Sequence, residues 1–205
     1  KYHRAGAAHE IFTDCVDDID GAIRFAKKQG AKEVYLAGHS TGCQKIVYHT
    51  YKTGGKKVKG LILLAPLSDY AGDRTKPQLR KAVAVAKRMV KDGKGDELLP
   101  AGTWWHYADA QRFLSLYTAD SIEEMFMYTQ PEKKPKIYSS ITMPVLALFA
   151  GDDEYSERPA GRLVEWFTKH SRSKRFATEI IPKVGHSFRD GELAVLRAVR
   201  KWISA

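Results

Sequence analysis

The stretch Gly38-His39-Ser40-Thr41-Gly42 decides the fold, because it lies between a short apolar run at residues 34–37 and an amphipathic run at 41–52. The first run is typical of a strand and the second of a helix. A serine on a sharp turn from strand to helix projects its hydroxyl away from the backbone, and such a turn needs small residues two positions away on either side. The pattern therefore predicts a nucleophile at Ser40, with His39 packed or hydrogen-bonded within the turn.

Helix-like and strand-like segments alternate on both sides of this turn. Residues 61–65 are continuously apolar, as expected of a strand buried on both faces of a parallel sheet. Residues 10–29 carry apolar side chains at helical spacing from Ile11 through Cys15 to Ile23, which predicts an amphipathic helix. This alternation predicts an α/β fold with a mostly parallel sheet. Further strands are predicted at 145–150 and 176–181, and further helices at 159–170 and 192–203.

Residues 68–141 interrupt the alternation with a basic helical stretch at 77–91 and a segment rich in aromatic residues that starts at Trp104. We interpret this region as a helical lid or cap inserted into an α/β core that consists of residues 1–67 and 142–205. Its aromatic side chains either form a small core of their own or roof an apolar pocket. The sequence is compatible with both roles.

Two loops downstream contain the residues that a nucleophilic serine requires. In one common arrangement the chain order is nucleophile, then acid, then histidine. Asp152, Asp153 and Glu154 follow the first of the two late strands, where a carboxylate would stand at the carboxyl end of the sheet. His186 follows the second late strand and precedes the last helix, in a loop that could bring it back to Ser40.

With three motifs in this order, the chain resembles the α/β-hydrolase superfamily from about residue 9 onward. The turn around Ser40, together with Ala65-Pro66-Leu67-Ser68-Asp69 and Gly151-Asp152-Asp153-Glu154-Tyr155, also resembles a subgroup of microbial and fungal hydrolases. Some fungal members of that subgroup are siderophore esterases. The resemblance to the superfamily implies a fold and a reaction type, but it does not fix the substrate.

The resemblance implies a role for each residue of the site. Ser40 would be the nucleophile, His186 the general base, and the backbone N–H of Thr41 one donor to the oxyanion. The orienting acid would be Asp153, with Asp152 and Glu154 as the next candidates. Asp69, which follows an earlier strand, is a further candidate because some hydrolases carry their acid there.

The implied activity is hydrolysis of a carboxylic ester or thioester through an acyl-enzyme, with a small-molecule ester as substrate. Three alternatives stay open. The same residues could serve an amidase or peptidase, or an acyltransferase, or the chain could be a ligand-binding protein of low turnover on a hydrolase fold. None of these readings needs a cofactor.

The chain begins at Lys1, and only one helix precedes residues 34–37, where α/β hydrolases normally have several strands. A strand at 34–37 would then be an exposed apolar edge. We therefore expect a separate N-terminal chain or segment that completes the sheet and provides the second oxyanion donor.

Composition narrows the class further. The formal net charge is +10, from 34 Lys and Arg against 24 Asp and Glu. The basic runs are scattered and form no recognisable nucleic-acid module. No segment has the roughly 20 apolar residues of a membrane span, and no spacing of His and Cys predicts a zinc site. The two cysteines, Cys15 and Cys43, are too few for a disulfide framework, and we expect a reducing, cytoplasmic setting.

Overall fold

The structure, a computed structural model of the chain, describes residues 6–205. Short 3₁₀ turns lie at Ala7–His9, Phe12–Asp14 and Tyr138–Ser140. The strands are β1 (Tyr35–His39), β2 (Gly60–Leu64), β3 (Val145–Ala150) and β4 (Phe176–Ile181). The α-helices are α1 (Cys15–Lys28), α2 (Thr41–Thr53), α3 (Asp69–Asp73), α4 (Pro77–Lys91), α5 (Ala110–Tyr117), α6 (Ala160–His170) and α7 (Glu192–Ile203).

The chain divides into two compact units. The first, which we call the sheet unit, comprises Cys15–Ser68 and Met125–Ala205. Its four strands form one parallel sheet in the order β1-β2-β3-β4. Because the strands run in one direction, the loops that follow β1, β3 and β4 all leave the sheet at its carboxyl edge. Those loops contain Ser40, Asp153 and His186, so the topology gathers the predicted site at that edge.

The centre of the sheet is apolar on both faces, as the sequence predicts. All six residues of β3 are buried, and so are the first four residues of β2. Successive side chains of a strand point to opposite faces. On one face Phe149 packs against Phe167 of α6, with ring centroids 5.3 Å apart. On the other, Leu146 and Leu148 form a cluster with Trp202 of α7.

The second unit, which we call the helical unit, comprises residues 6–14 and Asp69–Glu124. Its core forms where α4 buries Leu79, Ala82 and Ala86 among Phe113 and other apolar residues. These positions recur at helical spacing on α4, which is why a sequence with five exposed cations on the same helix still forms a core. Asp109 caps α5 by accepting a hydrogen bond from the Arg112 N–H at 2.7 Å.

The aromatic residues of the middle region differ in their surroundings. Trp104 packs edge-on against Phe113, with ring centroids 5.7 Å apart, inside the helical unit. Phe126 belongs to the sheet unit, where its ring lies 4.9 Å from that of Phe167. Trp105 and Tyr107 are exposed. For Trp104 and Phe113, the reading as a small core of their own describes the packing.

Most predicted elements form within a residue or two of the expected positions, but the helix expected at residues 10–29 is shorter. It begins at Cys15, and a 3₁₀ turn precedes it. Ile11, predicted to face the core, is 50% exposed, whereas Phe12 is buried. The prediction was wrong here because it extended the apolar spacing across a turn that breaks the helical period.

Strand β1 is at one edge of the described sheet. Its side chains are less buried than those of β2 and β3. The expectation that a further N-terminal segment pairs with this edge stays a prediction.

Candidate active site

The turn between β1 and α2 holds Ser40 in a conformation that few serines adopt. Its backbone has φ 54° and ψ −127°, in a region of positive φ that is costly for residues with a side chain. The Ser40 N–H donates to the Leu64 carbonyl at 3.0 Å, which fixes the turn to the neighbouring strand β2. A serine held this way presents its hydroxyl at the carboxyl edge of the sheet.

The two glycines that flank the turn are not equivalent. A Cβ on Gly38 would lie 2.3 Å from the Gly42 carbonyl oxygen, so that position requires glycine. A Cβ on Gly42 would meet no atom of the described residues within 4 Å, outside its own stretch of helix. The expectation that both positions need a small residue is therefore correct for Gly38 and wrong for Gly42, because only Gly38 is crossed closely by backbone.

Thr41 is the first residue of α2. Backbone N–H groups in the first turn of a helix have no acceptor within the helix, and the helix dipole places partial positive charge there. The N–H of Thr41 is therefore available at the point where the chain turns away from Ser40.

His186 lies in the loop between β4 and α7, and its ring is paired with Asp153. The distance between His186 Nδ1 and Asp153 Oδ2 is 2.8 Å, and the two side chains are only 10% and 6% exposed. A carboxylate accepts, so Nδ1 carries the hydrogen, and in the neutral imidazole the lone pair is then on Nε2.

The backbone of His186 is also bound at both of its polar groups. Its N–H donates to Glu154 Oε2 at 2.8 Å, and its carbonyl accepts from His39 Nε2 at 2.8 Å. The hydrogen bond from the His186 N–H is the main reason why the pKa of Glu154 is lowered. The rings of His39 and His186 have centroids 4.8 Å apart, and His39 directly precedes Ser40. The histidine loop is thus fastened to the turn that carries the serine.

The other predicted acids lie elsewhere. The Asp152 side chain is exposed, while its backbone N–H donates to the Val184 carbonyl at 3.0 Å. Asp69 is the first residue of α3 in the helical unit. Burial and the charge of Glu123 raise the pKa of Asp69 to about 6. Of the four carboxylates considered from the sequence, Asp153 is the one that binds the His186 ring.

Cys43 lies one turn of helix beyond Ser40 and is completely buried. Its thiol contacts the carbonyls of Gly38 and Leu64 at 3.1 and 3.4 Å. Burial strongly raises the pKa of this thiol. The group therefore stays protonated and packs under the turn, which does not suit a second nucleophile.

A cavity of about 340 Å³ lies at the carboxyl ends of β2 and β3, and Asp153 contributes to its wall. Its apolar lining includes Leu67, Phe149 and Leu163. Arg158, also in the wall, donates to the Tyr128 carbonyl at 3.0 Å and lies over the Tyr128 ring. Sequence reasoning missed Arg158, because no local pattern connects it with a tyrosine 30 positions earlier in the chain.

Tyr155 was also missed as a neighbour of the histidine. Its ring meets that of His186 edge-on, with centroids 5.1 Å apart. Its position directly after the three acidic residues is the sequence signal that could have indicated this contact.

Within residues 6–205, no group of three or more His, Cys, Asp or Glu side chains could hold a metal ion. No helix in the same range has both the length and the apolar character required to cross a membrane.

The parallel sheet with a strained serine turn at its carboxyl edge is an α/β-hydrolase fold, as the sequence predicted, and solved structures agree. A monoacylglycerol lipase from Paleococcus ferrophilus superposes with a TM-score of 0.67 at 17% identity, over 96% of this chain and 77% of the lipase. A thermostable carboxyl esterase from Bacillus coagulans gives a TM-score of 0.61 at 16% identity, over 94% of this chain and 71% of the esterase. An α/β-hydrolase fold protein of unknown function gives 0.65 at 16% identity, over 97% and 73%.

Within this fold class, residues 10–203 match the model of the family described as "Protein of unknown function (DUF1749)", and the chain belongs to that family. No curated protein matches the chain in sequence.

Proposed function

We propose that the chain is a serine hydrolase that cleaves a carboxylic ester or thioester through an acyl-enzyme on Ser40. The observation that carries this proposal is the position of His186. Its Nδ1 binds Asp153, and its carbonyl binds His39, the residue next to Ser40. A general base needs a fixed tautomer and a nearby nucleophile; the Asp153 contact supports the first and the contact with His39 supports the second.

In the first half of the reaction, Nε2 of His186 takes the hydroxyl proton while Oγ of Ser40 attacks the ester carbonyl carbon. The tetrahedral oxyanion accepts a hydrogen bond from the Thr41 N–H, at the positive end of α2. When the intermediate collapses, the imidazolium gives its proton to the leaving alkoxide or thiolate. The alcohol or thiol departs, and the acyl group stays on Ser40.

In the second half, water gives a proton to His186 and attacks the acyl carbon. Collapse of the second intermediate releases the carboxylic acid and returns the hydrogen to Ser40. Asp153 accepts the Nδ1–H throughout, so it holds the tautomer and stabilises the imidazolium without itself taking the proton.

Two further observations support a small-molecule substrate and a hydrolytic reaction. The cavity beside Asp153 has the volume of a small-molecule site and a partly apolar wall. The named structural neighbours include a lipase and a carboxyl esterase. Amide hydrolysis and acyl transfer use the same groups, so the product must be identified as well as the loss of substrate.

The test combines covalent labelling with turnover. We expect a fluorophosphonate to add one phosphonyl group to Ser40, with loss of fluoride, and we expect hydrolysis of p-nitrophenyl butyrate. Ser40→Ala should lose both activities, whereas Ser204→Ala, which removes an exposed serine, should keep both. Butyrate should appear in an amount equal to the nitrophenol released, even when an alcohol is added as an alternative acceptor. Unchanged turnover in a clean preparation of Ser40→Ala would disprove the proposal.

A further inference from the structure

The loop that carries His186 has a strained backbone, which contacts from other parts of the chain must hold in place. Three of its non-glycine residues have positive φ, namely Lys183 at 59°, Phe188 at 55° and Asp190 at 65°. Residues with a side chain adopt this region rarely, and they persist in it only where surrounding contacts hold them. The position of the His186 ring therefore depends on contacts from outside the loop.

Two of these contacts come from side chains that the proposed mechanism does not use. Glu154 Oε2 accepts the His186 N–H, and His39 Nε2 donates to the His186 carbonyl, both at 2.8 Å. Glu154 directly follows Asp153, and His39 directly precedes Ser40. Each of the other two members of the proposed triad thus has a sequence neighbour that binds the backbone of the third.

The absence of a side chain at Gly185 leaves space for the Glu154 carboxylate next to the His186 N–H. A Cβ on Gly185 would lie 2.7 Å from Glu154 Oε2, so glycine before the histidine leaves room for the carboxylate to reach the His186 N–H. With its N–H and carbonyl both bound, the Cα–Cβ direction of His186 is fixed. The Asp153 contact then fixes the rotation of the ring.

We propose that Glu154 and His39 are positioning residues, which hold the backbone of His186 so that Nε2 meets the hydroxyl of Ser40. This inference rests on the proposed serine-hydrolase function. Glu154 acts through its acceptor oxygen and His39 through its Nε2–H. The contribution is geometric, and displacement of a reacting group by about 1 Å can lower a rate by around 10²-fold.

Conservative variants separate hydrogen bonding from the mere presence of a side chain. Glu154→Gln keeps an acceptor oxygen, and His39→Gln keeps an N–H donor of similar reach. Glu154→Ala and His39→Ala remove the contact. Glu165→Ala removes an exposed carboxylate that pairs with Arg162 on α6, and it is the matched control.

With p-nitrophenyl butyrate, we expect kcat to fall about 10- to 100-fold in each alanine variant, with KM unchanged within about twofold. The glutamine variants should have kcat within about threefold of the wild-type value. Glu165→Ala should have the wild-type kcat. The backbone amide proton of His186, followed by NMR, should shift upfield in Glu154→Ala and stay near its original position in Glu154→Gln. The melting temperature identifies any variant that fails to fold.

Three outcomes would overturn the inference. They are full kcat in a folded Glu154→Ala, equal losses of kcat in Glu154→Ala and Glu154→Gln, and an unshifted His186 amide proton in Glu154→Ala. If the proposed serine-hydrolase function itself is wrong, the result is different. In that case the wild-type chain is neither labelled by the fluorophosphonate nor active on the ester.

Discussion

Two histidine–aspartate pairs of the same length lie in different parts of the sheet unit. His186 Nδ1 is 2.8 Å from Asp153, at the carboxyl edge of the sheet. His49 Nε2 is 2.8 Å from Asp20, between α2 and α1. The distance between imidazole and carboxylate therefore does not distinguish a candidate catalytic pair from another pair in the same protein.

The surroundings do distinguish them. His49 is 0% exposed in the middle of a regular helix, and its remaining nitrogen, Nδ1, has no hydrogen-bond partner among the described residues. His186 sits on a loop with strained backbone and is fastened to the turn of Ser40. A useful base needs a free nitrogen that can reach a reactant. The pair between α1 and α2 connects two helices instead.

The largest expected effect separates the two histidines. His186→Ala should lower kcat by at least about 10⁴-fold, because it removes the proposed base from a proposed triad whose members act together. His49→Ala should leave kcat of the folded fraction within about twofold, but should lower the free energy of unfolding by about 2 kcal/mol, since it empties a buried site. Kinetics and urea unfolding on both variants check this. Abolished turnover in a folded His49→Ala would show that His49 also takes part in the reaction.

The two carboxylates should differ next. Asp153→Asn should lower kcat by about 10³- to 10⁴-fold, because an amide at this position can stabilise the wrong imidazole tautomer. Asp20→Asn should leave kcat unchanged and cost less than about 1 kcal/mol of stability, because the Asp20 side chain is 40% exposed. Steady-state kinetics on both variants decides the matter. Equal kinetic losses would mean that the two pairs contribute alike to the reaction.

A third carboxylate, Asp69 of the helical unit, differs from both pairs because burial and the charge of Glu123 disfavour its ionised form. Burial is the largest cause of its pKa of about 6, followed by the charge of Glu123; Arg112 acts in the opposite direction, and Asp73 adds a small further rise. Since the folded pKa lies above the unfolded one, neutral Asp69 favours folding below about pH 4, and this advantage is lost as the pH rises through 6.

Asp69→Asn should therefore stabilise the chain by about 1–2 kcal/mol at pH 8, with the gain shrinking to near zero at pH 4. Urea unfolding at both pH values measures the gain, and Asp92→Asn at the exposed end of α4 controls for the loss of a surface charge. An equal gain in stability at both pH values would contradict the raised pKa of Asp69 as its cause.

Local pattern was sufficient for much of the fold. The bounds of β3, β4, α4 and α7 follow from apolar runs and helical spacing, and the order of the motifs follows from their places along the chain. Pattern failed at Ile11, where a turn interrupts the helical period, and at Gly42, where the closeness of other backbone matters.

The rest of the site depends on contacts between distant parts of the chain. Asp152, Asp153 and Glu154 are consecutive residues with the same chemistry, so only the directions of their side chains in the folded loop separate them. The contact of His39 with His186 spans 147 positions, and that of Glu154 spans 32. No local spacing encodes such contacts.

The buried thiol beneath the serine turn has a consequence for measuring motion. Cys43 contacts the carbonyls of Gly38 and Leu64, which belong to two neighbouring strands. A water-soluble alkylating reagent can reach this sulfur only when the junction of β1 and α2 opens. In a Cys15→Ser background, where Cys43 is the remaining thiol, the alkylation rate reports how often the chain around Ser40 unlocks. The alkylation rate of Cys43 thus measures local opening of the turn that carries Ser40.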